Sequence, residues 1–172
     1  MADFLCISNV AGYLLLAKPE EKSLSDTDLI KLYSQKILRL AADIPLTERL
    51  QNPDGSASKR APLCGSVVSV DVGMDNGRIV AFGQDVKACA LGQAAASVVG
   101  ANIIGQTFET VRETRAALAN MLENQGPAPQ APFGDLEVLS AASDFRNRHA
   151  SILLCLDATL SAMDAAAEAN CA

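Results

Sequence analysis

Between Val68 and Val86 apolar and polar residues alternate: Val68, Val70, Val72 and Met74 are interleaved with Ser69, Asp71 and Gly73, and Val80, Phe82, Gln84 and Val86 repeat the period on the return. Asn76-Gly77 between the two runs is the sequence of a type I′ turn, so the segment predicts a β-hairpin with one buried face. Elsewhere the period is helical. Leu29, Leu32, Tyr33, Ile37, Leu40, Ala41 and Ile44 predict an amphipathic helix ending at Pro45, with N-cap side chains available in Ser25-Asp26-Thr27-Asp28. Helices are also expected over 91–104, 108–123, 135–142 and 149–168, with a break at Gly126-Pro127-Ala128-Pro129-Gln130-Ala131-Pro132. Gln51 to Lys59 (QNPDGSASK) reads as a turn-rich loop. Strands grouped together and then helices grouped together argue an α+β fold, with helices on one face of a small antiparallel sheet.

A chain of 172 residues suits one well-buried core. The expected division is a single domain over 25–172 preceded by an extension, 1–24, of unassigned role. In that extension the apolar run Phe4 to Ala17 is interrupted by Ser8 and Asn9, is too short to span a bilayer and lacks the basic residues that open a secretory signal. It reads as an extra packed element or a frayed end, and no membrane partner is expected. A formal net charge of −6 with only 14 Lys and Arg gives no basic stripe for a phosphate backbone, and 4% aromatic content with no Trp gives no stacking platform. Nucleic acid is therefore not an expected partner.

Five cysteines, at 6, 64, 89, 155 and 171, are odd in number and include no C-x-x-C, which fits a reducing cytoplasm better than a secreted disulfide framework. Two of them gain meaning from the hairpin. Cys64 precedes its first strand and Cys89 follows its second, so antiparallel pairing returns both to one end of the sheet. Cys89 also opens a helix, where free N–H groups favour a thiolate. The plainer reading is that both are small buried hydrophobes. Cys155 sits among Ile152, Leu156 and Leu160 and reads as a core thiol. His149 is the single histidine. It serves either as a plain hydrogen-bonding group or, with two thiolates, as part of a borderline-soft ligand set suited to zinc.

The frames around these residues, Ala61-Pro62-Leu63-Cys64-Gly65-Ser66 and Lys87-Ala88-Cys89-Ala90-Leu91-Gly92-Gln93-Ala94, together with Asn147-Arg148-His149-Ala150-Ser151, resemble the U-type iron–sulfur scaffold family, the NifU N-terminal, IscU and SufU group. The resemblance begins near Leu29. It implies about three strands, and it departs from the family at two positions: Ser66 stands where the family has an aspartate, and Ala150 where it has the third cysteine. The length from Cys89 to His149 resembles the SufU-like subgroup, and the chaperone-binding segment of IscU-type proteins is replaced by Asp144-Phe145-Arg146-Asn147-Arg148.

By this resemblance the protein is expected to be a cytoplasmic scaffold or sulfur and metal carrier in iron–sulfur cluster assembly. Cys64 and Cys89 would be ligands or sulfur acceptors and His149 a third ligand, holding iron, a labile Fe–S cluster or zinc. A cysteine desulfurase and Fe–S acceptor proteins are the implied partners. Two alternatives stand beside it: a non-metallated interaction module of the assembly machinery, and a zinc-dependent sulfurtransferase taking persulfide from a desulfurase. A carrier, rather than an enzyme, is the leading expectation.

Overall fold

The computed structural model describes residues 34–170. The extension 1–24, the expected helical residues 29–33, Cys6 and Cys171 lie outside the described residues. Helix α1 (Gln35–Ala42) leads into three strands, β1 (Gly55–Arg60), β2 (Val67–Asp75) and β3 (Arg78–Lys87). Helices α2 (Ala90–Asn102) and α3 (Phe108–Asn124), a 3-10 helix (Gly134–Ala142) and the long α4 (Arg146–Asn170) follow. The sheet is antiparallel throughout, in the order β1-β2-β3. The α+β architecture expected from the pattern is the one observed.

The hairpin forms as its alternation dictates. Val68, Val70 and Val72 are fully buried and pair with Val86, Gln84 and Phe82. Asn76 and Gly77 take φ of 48° and 74°, the left-handed pair that a type I′ turn requires and that Gly77 adopts without a Cβ penalty. Val80 departs from the expected buried face. A bulge at Gly73/Met74 puts Ile79 opposite Met74, so Ile79 is buried and Val80 is 54% exposed.

Two other expectations are corrected. The segment read as a loop, Gln51 to Lys59, holds all but the last residue of β1, which pairs from Gly55↔Val72 to Arg60↔Val67. Its inward positions, Gly55 and Ala57, are small because α4 lies against them: a Cβ on Gly55 would meet the Ala162 carbonyl oxygen and Ala166. The first described helix closes at Ala42, with Asp43 as its C-cap, short of the Ile44 at which the periodicity ends. Ser34 has ψ of 155°, outside the helical region, and its hydroxyl accepts from Ile37 N–H, so the helix starts at Gln35.

Helices α2 and α4 cover the inward face of the sheet, and α4 is almost wholly apolar where it meets β1 and β2. Residues Arg146–Ala169 are long and apolar enough to cross a membrane, but most of that stretch is buried inside the domain, as a core helix is. A strap over residues 46–50 crosses the opposite face. There Asp71 accepts hydrogen bonds from Nε and Nη2 of the Arg49 guanidinium, from Ser56 Oγ (2.6 Å) and from Leu50 N–H (3.1 Å). In the core Gln84 is fully satisfied, donating to Pro45 O (2.8 Å) and Ala96 O (3.2 Å) and accepting from Cys155 Sγ (3.5 Å).

Candidate functional site

The end of the sheet opposite the Asn76-Gly77 turn collects three chain segments. Between β1 and β2 a tight loop is closed by Ala61 N–H on Ser66 O (2.9 Å) and Gly65 N–H on Ala61 O (3.0 Å), with Gly65 at φ 71°. This loop presents Cys64, partly exposed, behind Leu63, which is 76% exposed. Ser66 shares the pleat parity of Val68, Val70 and Val72, so its hydroxyl faces the helices. Cys89 is the N-cap residue of α2. Its carbonyl accepts from Gln93 N–H (2.9 Å), but its side chain makes no cap bond. The sulfur turns instead towards α4.

There it meets Ser151. Cys64 Sγ lies 3.1 Å from Ser66 Oγ, Ser151 Oγ donates to Ser66 Oγ at 3.0 Å, and Ser151 Oγ lies 3.4 Å from Cys89 Sγ. The two cysteines are thus the ends of a continuous chain of hydroxyls. Burial alone would push the Cys64 thiol up. Hydrogen bonding from the Ser66 side chain and backbone and from Ser151, with the nearby Arg148 charge, outweighs it, and the thiol titrates below its ordinary value.

Cys155 behaves differently, as a core thiol should: burial pushes it up to about 12. It sits one helical turn past Ser151, in the interior.

His149 is not delivered to the cysteines. Its Nε2 lies 3.0 Å from Ala142 O and 3.1 Å from Ser143 O, and so donates to the end of the 3-10 helix. The reason is helical geometry. Two residues are about 200° apart around a helix, and Ser151 occupies the face turned to the cysteines. Ala150 is partly buried against the core. Among the described residues, no three His, Cys, Asp or Glu side chains gather closely enough to hold a metal ion. Lys87 pairs with Asp85 (3.0 Å), and Asp157 pairs with Arg115 (2.8 Å). Ser151 is the site residue that the sequence reading passes over. Its signal is the spacing Ser151, Cys155, Thr159, a polar line at four-residue intervals along the buried face of the helix.

No protein-family model matches the chain, and no curated protein sequence matches it. Solved structures do. A putative iron–sulfur cluster assembly scaffold protein for the SUF system from Fervidobacterium islandicum AW-1 is 20% identical with a TM-score of 0.70, covering 78% of this chain and 98% of its own. That likeness shows the fold. A nitrogen-fixing NifU-like protein (N-terminal) from Brucella abortus is 38% identical with a TM-score of 0.79, covering 82% of this chain and 98% of that one. Identity at this level over nearly all of that chain, on the same three-stranded sheet and helical layer, makes this protein a member of the NifU-like N-terminal family.

Proposed function

We propose that the protein carries iron–sulfur cargo, as an assembly scaffold or a sulfur and metal carrier, anchored by Cys64 and Cys89. The observation that supports this most directly is the meeting of two thiols at one sheet end, joined through Ser66 and Ser151. The donor chemistry fits a thiophilic cargo. Two thiolates balance the charge of one divalent ion, and the remaining positions are left to weaker donors, so the cargo is exchangeable as a carrier requires. His149 is outside this donor set because its Nε2 is spent on backbone carbonyls. The similar proteins, one NifU-like and one described as a putative assembly scaffold, point the same way. A cysteine desulfurase and Fe–S acceptor proteins in the cytoplasm are the corresponding partners.

Anaerobic reconstitution with iron and sulfide tests the proposal. The wild type retains iron and acid-labile sulfide after desalting, whereas Cys64→Ser and Cys89→Ser retain little. Equal retention by all three proteins rejects it.

The placement of Cys64, partly exposed on a tight loop at the end of the sheet, supports a second reading, acceptance of sulfur from a donor persulfide. In this step the Cys64 thiolate attacks the outer sulfur of the donor, a new S–S bond forms on Cys64, and the donor leaves as its thiolate. Incubation with a persulfide-loaded desulfurase followed by mass spectrometry would show ~32 Da, one sulfur atom, added to the Cys64 peptide.

A further inference from the structure

Ser66 and Ser151 are 5% and 1% exposed, and the partners of their hydroxyls are each other and the two cysteine sulfurs. Sulfur is a weak hydrogen-bond partner, so two buried hydroxyls have been committed to poor company. Elsewhere in the fold the buried helical hydroxyls of Thr114, Thr159 and Ser97 have backbone carbonyl partners, Thr110 O, Cys155 O and Asp43 O. Ser151 turns out of α4 towards the cysteines.

Space has been kept for it. A Cβ on Gly92, in the first turn of α2, would lie 2.6 Å from Ser151 Oγ. Only a residue without a side chain leaves the hydroxyl where it is.

Resting on the cargo reading above, we propose that Ser66 Oγ and Ser151 Oγ are metal donors. With Cys64 Sγ and Cys89 Sγ they make a two-sulfur, two-oxygen pocket for a single thiophilic divalent cation. Donors around a tetrahedral ion with bonds of about 2.0–2.3 Å stand roughly 3.3–3.8 Å apart. The three contacts along the chain, Cys64–Ser66, Ser66–Ser151 and Ser151–Cys89, are 3.0–3.4 Å, each at or a little below that spacing. The proton balance is simple. Each thiol releases its proton to solvent, and each hydroxyl binds through a lone pair and keeps its own. Two thiolates and one divalent cation then leave the buried pocket electrically neutral, which is the least costly charge state for a site of low exposure. Harder oxygen donors in place of further thiolates also hold a soft ion less tightly, which makes the pocket one of easy release.

Cobalt(II) is the probe, added anaerobically to the full chain after reduction and removal of bound metal. Its thiolate charge-transfer band counts sulfur ligands, and its visible band reports four-coordination. The Cys64→Ser/Cys89→Ser protein supplies the background from the remaining cysteines. Ser66→Ala and Ser151→Ala should each weaken cobalt binding about tenfold or more and alter the visible band. Ser151→Cys should raise the charge-transfer amplitude by about half, as two thiolates become three, and tighten binding. Circular dichroism confirms that each variant is folded. If Ser151→Ala does not fold, Ser66→Ala and Ser151→Cys still decide the matter. Alanine variants with wild-type affinity and spectrum, or a Ser151→Cys amplitude equal to wild type, overturn the serine donors while leaving the two-cysteine anchor intact. A wild type with no charge-transfer band above background overturns both.

Discussion

Arg49 grips the buried carboxylate of Asp71 through both Nε and Nη2, pinning the strap over residues 46–50 to the sheet face away from the helices. The Arg49 bonds hold the Asp71 carboxyl below the usual carboxylate range, with help from Ser56 and Leu50 N–H and against the upward push of burial. A carboxyl depressed in the folded state gives stability that is complete above its unfolded value and lost as pH falls through the folded one. Asp71→Asn should therefore cost about 1–3 kcal/mol at pH 7, and the gap from wild type should close on acidification. Urea unfolding at a series of pH values measures it. A gap independent of pH contradicts the assignment.

Gly92→Ala tests how tightly α2 and α4 are apposed. The added methyl would lie 2.6 Å from Ser151 Oγ and 2.9 Å from Ser151 O, and backbone cannot swing aside as a side chain can. A loss of about 1–3 kcal/mol is expected. In a Ser151→Ala background the loss should be smaller but not absent, because the carbonyl contact remains. Equal losses in the two backgrounds, by thermal or urea unfolding, would show that the hydroxyl is not the obstacle.

Thiol chemistry should separate the cysteines of the fold. With metal removed at pH 7, iodoacetamide should label Cys64 well before Cys155, whose thiol is buried and pushed up to about 12. Ser66→Ala removes the leading hydrogen bond that lowers Cys64 and should slow its labelling. Peptide mass spectrometry over a time course gives both rates. Faster labelling in Ser66→Ala would mean that the serine shields the sulfur instead of activating it.

The hairpin turn offers a control at the far end of the sheet. Gly77→Ala forces a Cβ into a φ of 74° and should cost about 1–2 kcal/mol while leaving Cys64 labelling at its wild-type rate. A coupled fall in labelling would mean that strain at the turn is transmitted along the hairpin to the site.

The hairpin and most helices were legible in the sequence because burial on one face writes a period of two or of 3.6, and Asn76-Gly77 has few other uses. Strand β1 was hidden for the converse reason. Its inward residues are Gly55 and Ala57, chosen to admit α4, so the strand carries no hydrophobic alternation. That Cys64 and Cys89 return to one end of the sheet follows from antiparallel pairing, while the role expected of them came from the resemblance. His149 was assigned by its place beside a family frame, which fixes position along a helix but not direction around it. Two residues of rotation separate its ring from the face that Ser151 occupies. A serine among Ala150 and Ile152 looks like helix filler until a neighbour from another strand comes within reach.

The strap has a consequence for how the sheet can grow. Its backbone reaches the outer edge of β3, where Gln84 N–H donates to Leu46 O, and the turn around Gly105 occupies the same edge at Ile79. That side has few free groups with which to recruit another chain. Among the described residues no strand pairs with the outer side of β1, and this is where addition of a foreign strand would begin. That edge is only six residues long and ends in Lys59 and Arg60, so an incoming strand must strip water from two cations to extend the sheet. Resistance to edge-to-edge association is thus built by different means on the two sides: a covering segment on one, and brevity and charge on the other.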